Sequence, residues 1–412
     1  MTAKRNEGRR PKFSSNLGRS SIALLFMAAS FAALSVAAPA RATVVLHQFQ
    51  SSDGIEPTFL LLTPDKTLYG VTFAGGGDNN SGTLYKIDPQ GSFSILHVFE
   101  DWPNGDGSIP NRLLLAPDGS IYGVTASGGP NADGTVYRID RAGNYSVLHS
   151  FDEFSDGGGP NFLMLAKDGN FYGTASTGGI PAKGCVNNEA NGTLFRLTPT
   201  GKVTRLHTFC ETIDGSIPNS VTESPDGFLY GTCKEDGGSQ GTGAGTFWRA
   251  SYTGKVKVLH VFAQSGEPAE PNGVVQASDG FFYGTSNGGG AANEGTIFRA
   301  KSRGAIKVLH SFDAEGRTGN DPETNFFLAD DGFFYGTTAK GGLPINDPER
   351  SGTVYRADMT GHVKLLHTFS QQDGMTPVAP PARDSQTGTL YATAIRGGKN
   401  FDGTLVKIDG GH

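Results

Sequence analysis

A unit of about fifty residues is written seven times along this chain, and inside it one interval never changes. Each unit carries a Gly-Thr-apolar-aromatic-basic run, such as Gly82-Thr83-Leu84-Tyr85-Lys86, and fourteen residues beyond its Thr stands the His of a Leu-His-x-Phe run. The pairs are Thr83 with His97, Thr135 with His149, Thr193 with His207, Thr246 with His260, Thr296 with His310 and Thr353 with His367. Thr404 has no His downstream, and His47 has no Thr upstream. The two leftovers complete one another, so the chain is expected to close into a ring.

One unit reads as four short strands. In the second unit Leu113-Leu114-Leu115-Ala116 is a continuous apolar run, as for a strand covered on both faces. Pro117-Asp118-Gly119-Ser120 is a tight turn, Ile121 to Thr125 a second strand, Gly134 to Asp140 a third and Tyr145 to Phe151 a fourth. Four antiparallel strands at this period describe a β-propeller blade. The expectation is an all-β, seven-bladed β-propeller over residues 43–412, its last blade closed by the amino-terminal strand Val44 to Phe49 lying outside Thr404 to Ile408.

Residues 1–42 read differently. A basic stretch (Lys4, Arg5, Arg9, Arg10, Lys12, Arg19), an apolar run over residues 22–38 and Ala40-Arg41-Ala42 fit a secretory signal peptide. Arg9-Arg10 lies far from the apolar run, which favours the general export route over twin-arginine export. No other apolar stretch approaches the ~20 residues that span a bilayer. The product is expected outside the cytoplasm, in periplasm or medium, with no membrane insertion. The remaining chain carries 27 basic against 39 acidic residues, a balance that repels nucleic acid and anionic lipid. Gly accounts for 60 of 412 residues while aromatics hold at 10%, which means frequent turns around a real core.

Spacing separates two faces. From the Asp of the first turn to the following Tyr is four residues in each of six units (Asp65 to Tyr69, Asp118 to Tyr122, Asp168 to Tyr172, Asp226 to Tyr230, Asp279 to Tyr283, Asp331 to Tyr335). The turns on that face are therefore uniform. The link from that Tyr, or from Tyr391, to the next Thr runs 14, 13, 21, 16, 13, 18 and 13 residues. Loops of unequal length on a rigid frame are where binding resides.

The seven His residues (His47, His97, His149, His207, His260, His310, His367) fall on outer strands of different blades, too far apart to share a metal ion, so no metal is expected. A structural role is assigned to them and to Thr83, Thr135, Thr193, Thr246, Thr296, Thr353 and Thr404, with a Thr–His hydrogen bond bracing each blade. The basic residues Lys86, Arg138, Arg196, Arg249, Arg299, Arg356 and Lys407 are expected to tie blades together. Cys185 and Cys210 are the preferred disulfide pair, with Cys233 left free.

Acidic residues crowd the variable face, among them Asp53, Asp106, Asp156, Glu189, Asp214, Asp321, Asp347 and Asp373. Several belong to Asp-Gly turns, for which turn chemistry suffices, and no catalytic pair is named. Asp101-Trp102-Pro103-Asn104-Gly105-Asp106 resembles a calcium loop but lacks the closing Glu and flanking helices. The candidate ligand residues are Asn111, Asn161, Asn219 and Asn272, which open the first strands of four blades beside the channel, with Trp102 and Phe154. Amides and aromatic faces suit polyhydroxylated ligands; the competing reading is that each Asn caps a bend and bonds its own backbone.

The repeat text Asp226-Gly227-Phe228-Leu229-Tyr230-Gly231-Thr232, followed by Gly237-Gly238 and then Gly245-Thr246-Phe247-Trp248-Arg249, resembles the GloVer-type tandem repeats of exported bacterial proteins over nearly all of residues 44–409. The resemblance implies the propeller and export, and carries no catalytic residue. The expected function is a non-catalytic, monomeric, exported propeller, without cofactor, that binds a glycan or extracellular protein on its variable face. The alternative is an extracellular polysaccharide lyase or glycoside hydrolase with its site over the central channel.

Overall fold

The computed structural model describes residues 43–101, 105–181, 185, 190–238, 243–263, 265–342 and 351–410. The leader 1–42, Trp102, Glu189, Asp347 and the middle of the 101–106 stretch lie outside the described residues. Seven antiparallel sheets follow one another. Blade 1 is built from Ile55–Leu62, Leu68–Ala74, Thr83–Ile87 and Phe93–Val98, from the channel outward, and blades 2 to 6 repeat that order. Blade 7 takes Ala382–Arg383, Leu390–Ala394 and Thr404–Ile408 from the carboxyl end and Thr43–Gln48 from the amino end, paired Val44 to Lys407 and Gln48 to Thr404. The ring is closed by the strand that the leftover His and Thr demanded.

The core lies between blades, because each sheet is apolar on both faces. Tyr122, Val136 and Phe151 of blade 2 pack on Leu163, Phe171 and Phe195 of blade 3, and Phe49 and Leu405 of blade 7 pack on Leu60, Leu68 and Tyr85 of blade 1. Third-strand aromatics are fully buried and so contribute ~1.5–3 kcal/mol each. They fit because the residue opposite has no side chain. Gly70 faces Tyr85, Gly123 Tyr137, Gly173 Phe195, Gly231 Trp248, Gly284 Phe298 and Gly336 Tyr355. A Cβ on Gly231 would stand 2.3 Å from the Trp248 ring. In blade 7 the aromatic is replaced by Val406, and its partner is Ala392.

Blade-to-blade register is set by the Gly of the Gly-Thr run. A Cβ on Gly82, Gly134, Gly192, Gly245, Gly295, Gly352 or Gly403 would lie 2.5–2.8 Å from the ring of the Pro that opens the next blade, Gly403 against Pro57 included. The residue before each of those prolines is left-handed: Glu56, Ile109, Gly159, Ile217, Glu270, Asp321 and Thr376 have φ of 54–62°. For Ile and Thr this is strained backbone. Each N–H is bonded back to the preceding blade, for example Ile109 to the Ser81 carbonyl and Glu56 to the Asp402 carbonyl. The strain is thus held by the contact between blades.

The Thr–His hydrogen bond does not form. A β-bulge between Leu84 and Tyr85 sets Thr83 opposite Val98 and His97 opposite Leu84, and the same shift recurs in blades 2 to 6. Both residues instead meet the acidic residue in the link between blades. His207 Nε2 lies 2.6 Å from the Asp214 carboxylate, whose other oxygen accepts the Cys210 N–H, while the Asp214 carbonyl accepts the Thr246 hydroxyl of the next blade at 2.7 Å. The same relay runs through His97, Asp106 and Thr135, through His149, Asp156 and Thr193, and through His47, Asp53 and Thr83. Asp373 carries it from His367 to Thr404, and Glu267 stands 3.2 Å from His260. Among the described residues His310 Nε2 has no hydrogen-bonded carboxylate, and burial holds its imidazole below the usual 6.5. Asp-Gly turn chemistry therefore serves the ring.

The basic residues also act differently from expectation, inside a blade and not between blades. Arg249, Arg299 and Arg356 lie 4.2–4.5 Å over the rings of Phe228, Phe281 and Phe333 of their own sheets, and Arg138 reaches Asp118 and Ser120. The invariant Asp-to-Tyr interval has its cause here: the hydroxyls of Tyr172, Tyr230, Tyr283 and Tyr335 donate to Asp168, Asp226, Asp279 and Asp331 at 2.7–2.8 Å.

Candidate site in the central channel

The first strands of the seven blades surround a channel of about 930 Å³. Its lining runs from Lys234 and Glu323 on the variable face to Glu223 and Arg383 near the uniform turns. Asn111, Asn161, Asn219 and Asn272 do encircle its mouth, each directly after the opening Pro of its blade. Their N–H groups are directed along the ring. Asn161 donates to the Pro218 carbonyl at 2.9 Å, Asn219 to Pro271 at 2.7 Å, Asn111 to Pro160 at 3.4 Å, and Asn272 to Pro322. The Thr58 hydroxyl begins the series on Pro110. Asn161 and Asn219 accept the hydroxyls of Thr174 and Thr232. Each amide bonds a neighbour's backbone, not its own, so the ring of Asn braces the mouth.

The series breaks at blades 6 and 7, where Glu323 and Val378 take the position and one further residue precedes the strand. Although exposed at the rim, Glu323 loses part of its hydration in the channel, and this, then the carboxylate of Asp321, raises its carboxyl above its usual 4.5. Asp321 is itself held by Lys340 at 2.8 Å.

One layer deeper, register places Phe59, Arg112, Phe162, Ser220, Gly273, Asn325 and Pro380 around the channel. The layer is lopsided. Arg112 projects between two phenyl rings from adjacent blades, its guanidinium 5.1 Å from Phe59 and 4.1 Å from Phe162. Burial lowers it to about 10, so it remains charged at neutral pH. Arg383, the other arginine of the lining, is paired with Asp330 and Asp331. Arg112 has no hydrogen-bond or ion-pair partner among the described residues. The sequence reading passed over it. Its signal was legible only by aligning the opening strands, where the residue matching Phe59 and Phe162 changes to Arg.

On the variable face Phe154 is 81% exposed, and Ile180 and Ile213 are also exposed. Cys185 and Cys210 are joined, with Cα atoms 5.5 Å apart, fastening the longest loop to the link beyond its blade. Cys233 is buried and its thiol is raised by that burial, which leaves it a poor nucleophile. Among the described residues no three His, Cys, Asp or Glu side chains are grouped to hold a metal ion, and no helix is long and apolar enough to cross a membrane.

The sequence pattern of the Gloeobacter/Verrucomicrobia repeat matches residues 33–244 and 220–412, in keeping with the seven similar blades. The chain belongs to the Gloeobacter/Verrucomicrobia repeat family. No curated protein matches it. Solved structures similar to this family member include the extracellular domain described as part of a one-component system of B. thetaiotaomicron, 13% identical, with a TM-score of 0.58 over 90% of this chain and 42% of that one. A puromycin hydrolase mutant complexed with PGG is 13% identical, with a TM-score of 0.55 over 89% of this chain and 55% of that one. A protein from Lactobacillus plantarum is 15% identical, with a TM-score of 0.50 over 79% and 87%. The chain spans about half the length of the first two. At these identities the likeness concerns the propeller fold of this repeat-family chain alone.

Proposed function

We propose that this protein is an exported, monomeric, non-catalytic propeller that binds a glycan or an extracellular protein at the variable-face mouth of its channel, a glycan being the better fit. One observation carries the reading: loops of unequal length surround an open channel of about 930 Å³, of the size that takes a small ligand. Exposed Phe154 among those loops would serve as a stacking surface, with Asn111, Asn161, Asn219 and Asn272 forming the braced rim of the mouth; a second stacking role for Trp102 is proposed from the sequence alone. The repeated carboxylates are committed to His side chains and backbone amides, which argues for scaffolding over acid–base chemistry.

A second reading, an extracellular polysaccharide lyase or glycoside hydrolase, is favoured by Glu323. Its raised carboxyl beside the Lys-held Asp321 at the channel rim is the pattern by which two carboxylates divide acid and base roles. The two readings part on one experiment. Purified protein is incubated with a panel of bacterial and plant polysaccharides; the soluble fraction is examined by mass spectrometry and the polymer for retained protein. Retention without fragments is the expected result. Shortened or unsaturated fragments that vanish in Glu323→Gln would establish the enzyme instead.

A further inference from the structure

The geometry points to Arg112 as the anion-binding residue of a carboxylate subsite inside the channel, so that the glycan is an acidic one presenting a uronate carboxylate. The proposal rests on the glycan-binding reading and deepens it.

Arg112 is a charged side chain on an opening strand whose other members at that level are Phe, Ser, Gly, Asn and Pro. An arginine packed between two aromatic rings with no carboxylate beside it has lost hydration without gaining a counter-charge, and the ring faces return only part of that loss. The phenyl rings flank the guanidinium carbon at 5.1 and 4.1 Å, and its N–H donors have no partner among the described residues. Those donors form a planar fork, which matches the two oxygens of a carboxylate.

The rest of the layer supplies the shape. Across the ring from blade 2 the wall consists of Gly273 and Asn325, with Ser220 beside them, and a Cβ on Gly273 would meet Ser220 and Asn325. Gly273 is itself buried against them, so the residues at that level are small and closely packed, in contrast with the two phenyl rings that flank Arg112. Thr324 Oγ1 and Asn325 Oδ1, shielded from solvent there, have no hydrogen-bond partner among the described residues. A cation flanked by ring faces, in a channel lined elsewhere by Thr, Ser and Asn residues, fits a sugar that carries both a carboxylate and hydroxyls. Of the seven residues at this level Arg112 alone is charged, and one positive charge suits a singly charged ligand; Lys234 lies near Glu323 at the rim. Phosphate, as a dianion, would leave charge uncompensated in a channel whose lining also holds Glu323 and Glu223.

The test is isothermal titration calorimetry of the purified protein with galacturonate, galactose, benzoate and inorganic phosphate, repeated on Arg112→Met, whose thioether can fill the space between the two rings. Galacturonate is expected to bind about tenfold or more tighter than galactose, phosphate no better than galactose, and Arg112→Met to erase the difference while its melting temperature holds. Galactose and galacturonate binding equally, or a preference that survives in the variant, would overturn the subsite while leaving glycan binding intact. Benzoate binding as tightly as galacturonate, and lost in the variant, would keep the carboxylate subsite but defeat the glycan reading. No binding by any carboxylate probe overturns it. Should Arg112→Met fail to fold, phenylglyoxal labelling of Arg112 in the unaltered protein decides: galacturonate slows it and galactose does not, and labelling indifferent to galacturonate contradicts the proposal.

Discussion

At the scale of single residues, the repeat is written in steric and hydrogen-bonding terms. Asp214 joins three elements at once, and Asp214→Ala removes the carboxylate's share: it deletes the His207 contact and frees the buried Cys210 N–H, while the main-chain carbonyl that accepts from Thr246 remains. A loss of about 1–3 kcal/mol is expected, read as a lower urea midpoint with an unchanged slope. Gly231→Ala would press a methyl group into Trp248 and the Ser220 carbonyl. Its cost should exceed ~2 kcal/mol by the same measurement, whereas Ala392→Gly, opposite Val406, should cost ~1 kcal/mol or less. Asp373 and His310 are two of the groups that shape the acid side of the stability profile, beside Asp384, where burial opposes ionisation but hydrogen bonds from Lys66, Gln386 and Thr387 outweigh it and lower the carboxyl to about 2. Burial opposes ionisation of Asp373, but hydrogen bonds from His367 and Ser370 outweigh it and hold the carboxyl below 3.8. Its contribution is present above that value and is lost as pH falls through the depressed one. His310 is depressed below 6.5, so unfolded chains take up the proton first and stability declines as pH drops below 6.5. In a pH series of urea midpoints, His310→Gln should flatten the decline just below 6.5 and leave the steeper loss below about 4 in place; an unchanged profile would contradict this role.

Among elements, the amino-terminal strand has the largest consequence, because Thr43–Gln48 is the outer strand of blade 7 and Phe49 fills the joint with blade 1. A chain lacking residues 43–49 exposes the edge of Thr404–Ile408 and opens one blade contact. Loss of the single cooperative melting transition is expected in calorimetry; a shortened chain that melts like the full one would refute ring closure. The strand count, blade order and closure were all legible in the sequence, since Thr404 and His47 each lack a partner. The bulge was not. It inserts one residue into the outer strand without changing the Thr-to-His count, so a fixed interval of fourteen was compatible with two registers, and the wrong one suggested a direct bond. The direction taken by the basic residues was likewise hidden, because a Phe two positions before the paired Tyr reads as core, yet serves as the surface over which Arg249 lies.

For the whole molecule, the division of labour between faces follows from where the repeats are alike. Tyr–Asp bonds hold the uniform turns, His–acid–Thr relays hold the links, and the Pro–Asn ring holds the mouth; what differs between blades is loop length and the few residues that face the channel. Asn111, Asn161, Asn219 and Asn272 were findable because they recur, and each donates to the opening Pro carbonyl of the next blade. Arg112 and Glu323 are single departures from a repeated position, a signal that appears once the opening strands are aligned on their prolines. The most direct check on the binding account is amide hydrogen exchange of the protein alone and with the polysaccharide that retains it. Slowed exchange is predicted in the variable-face loops and the strand openings around Thr58, Asn111, Asn161, Asn219 and Asn272, with the uniform turns at Asp65, Asp118 and Asp226 unaffected. Protection confined to those turns, or spread evenly over the blades, would contradict it.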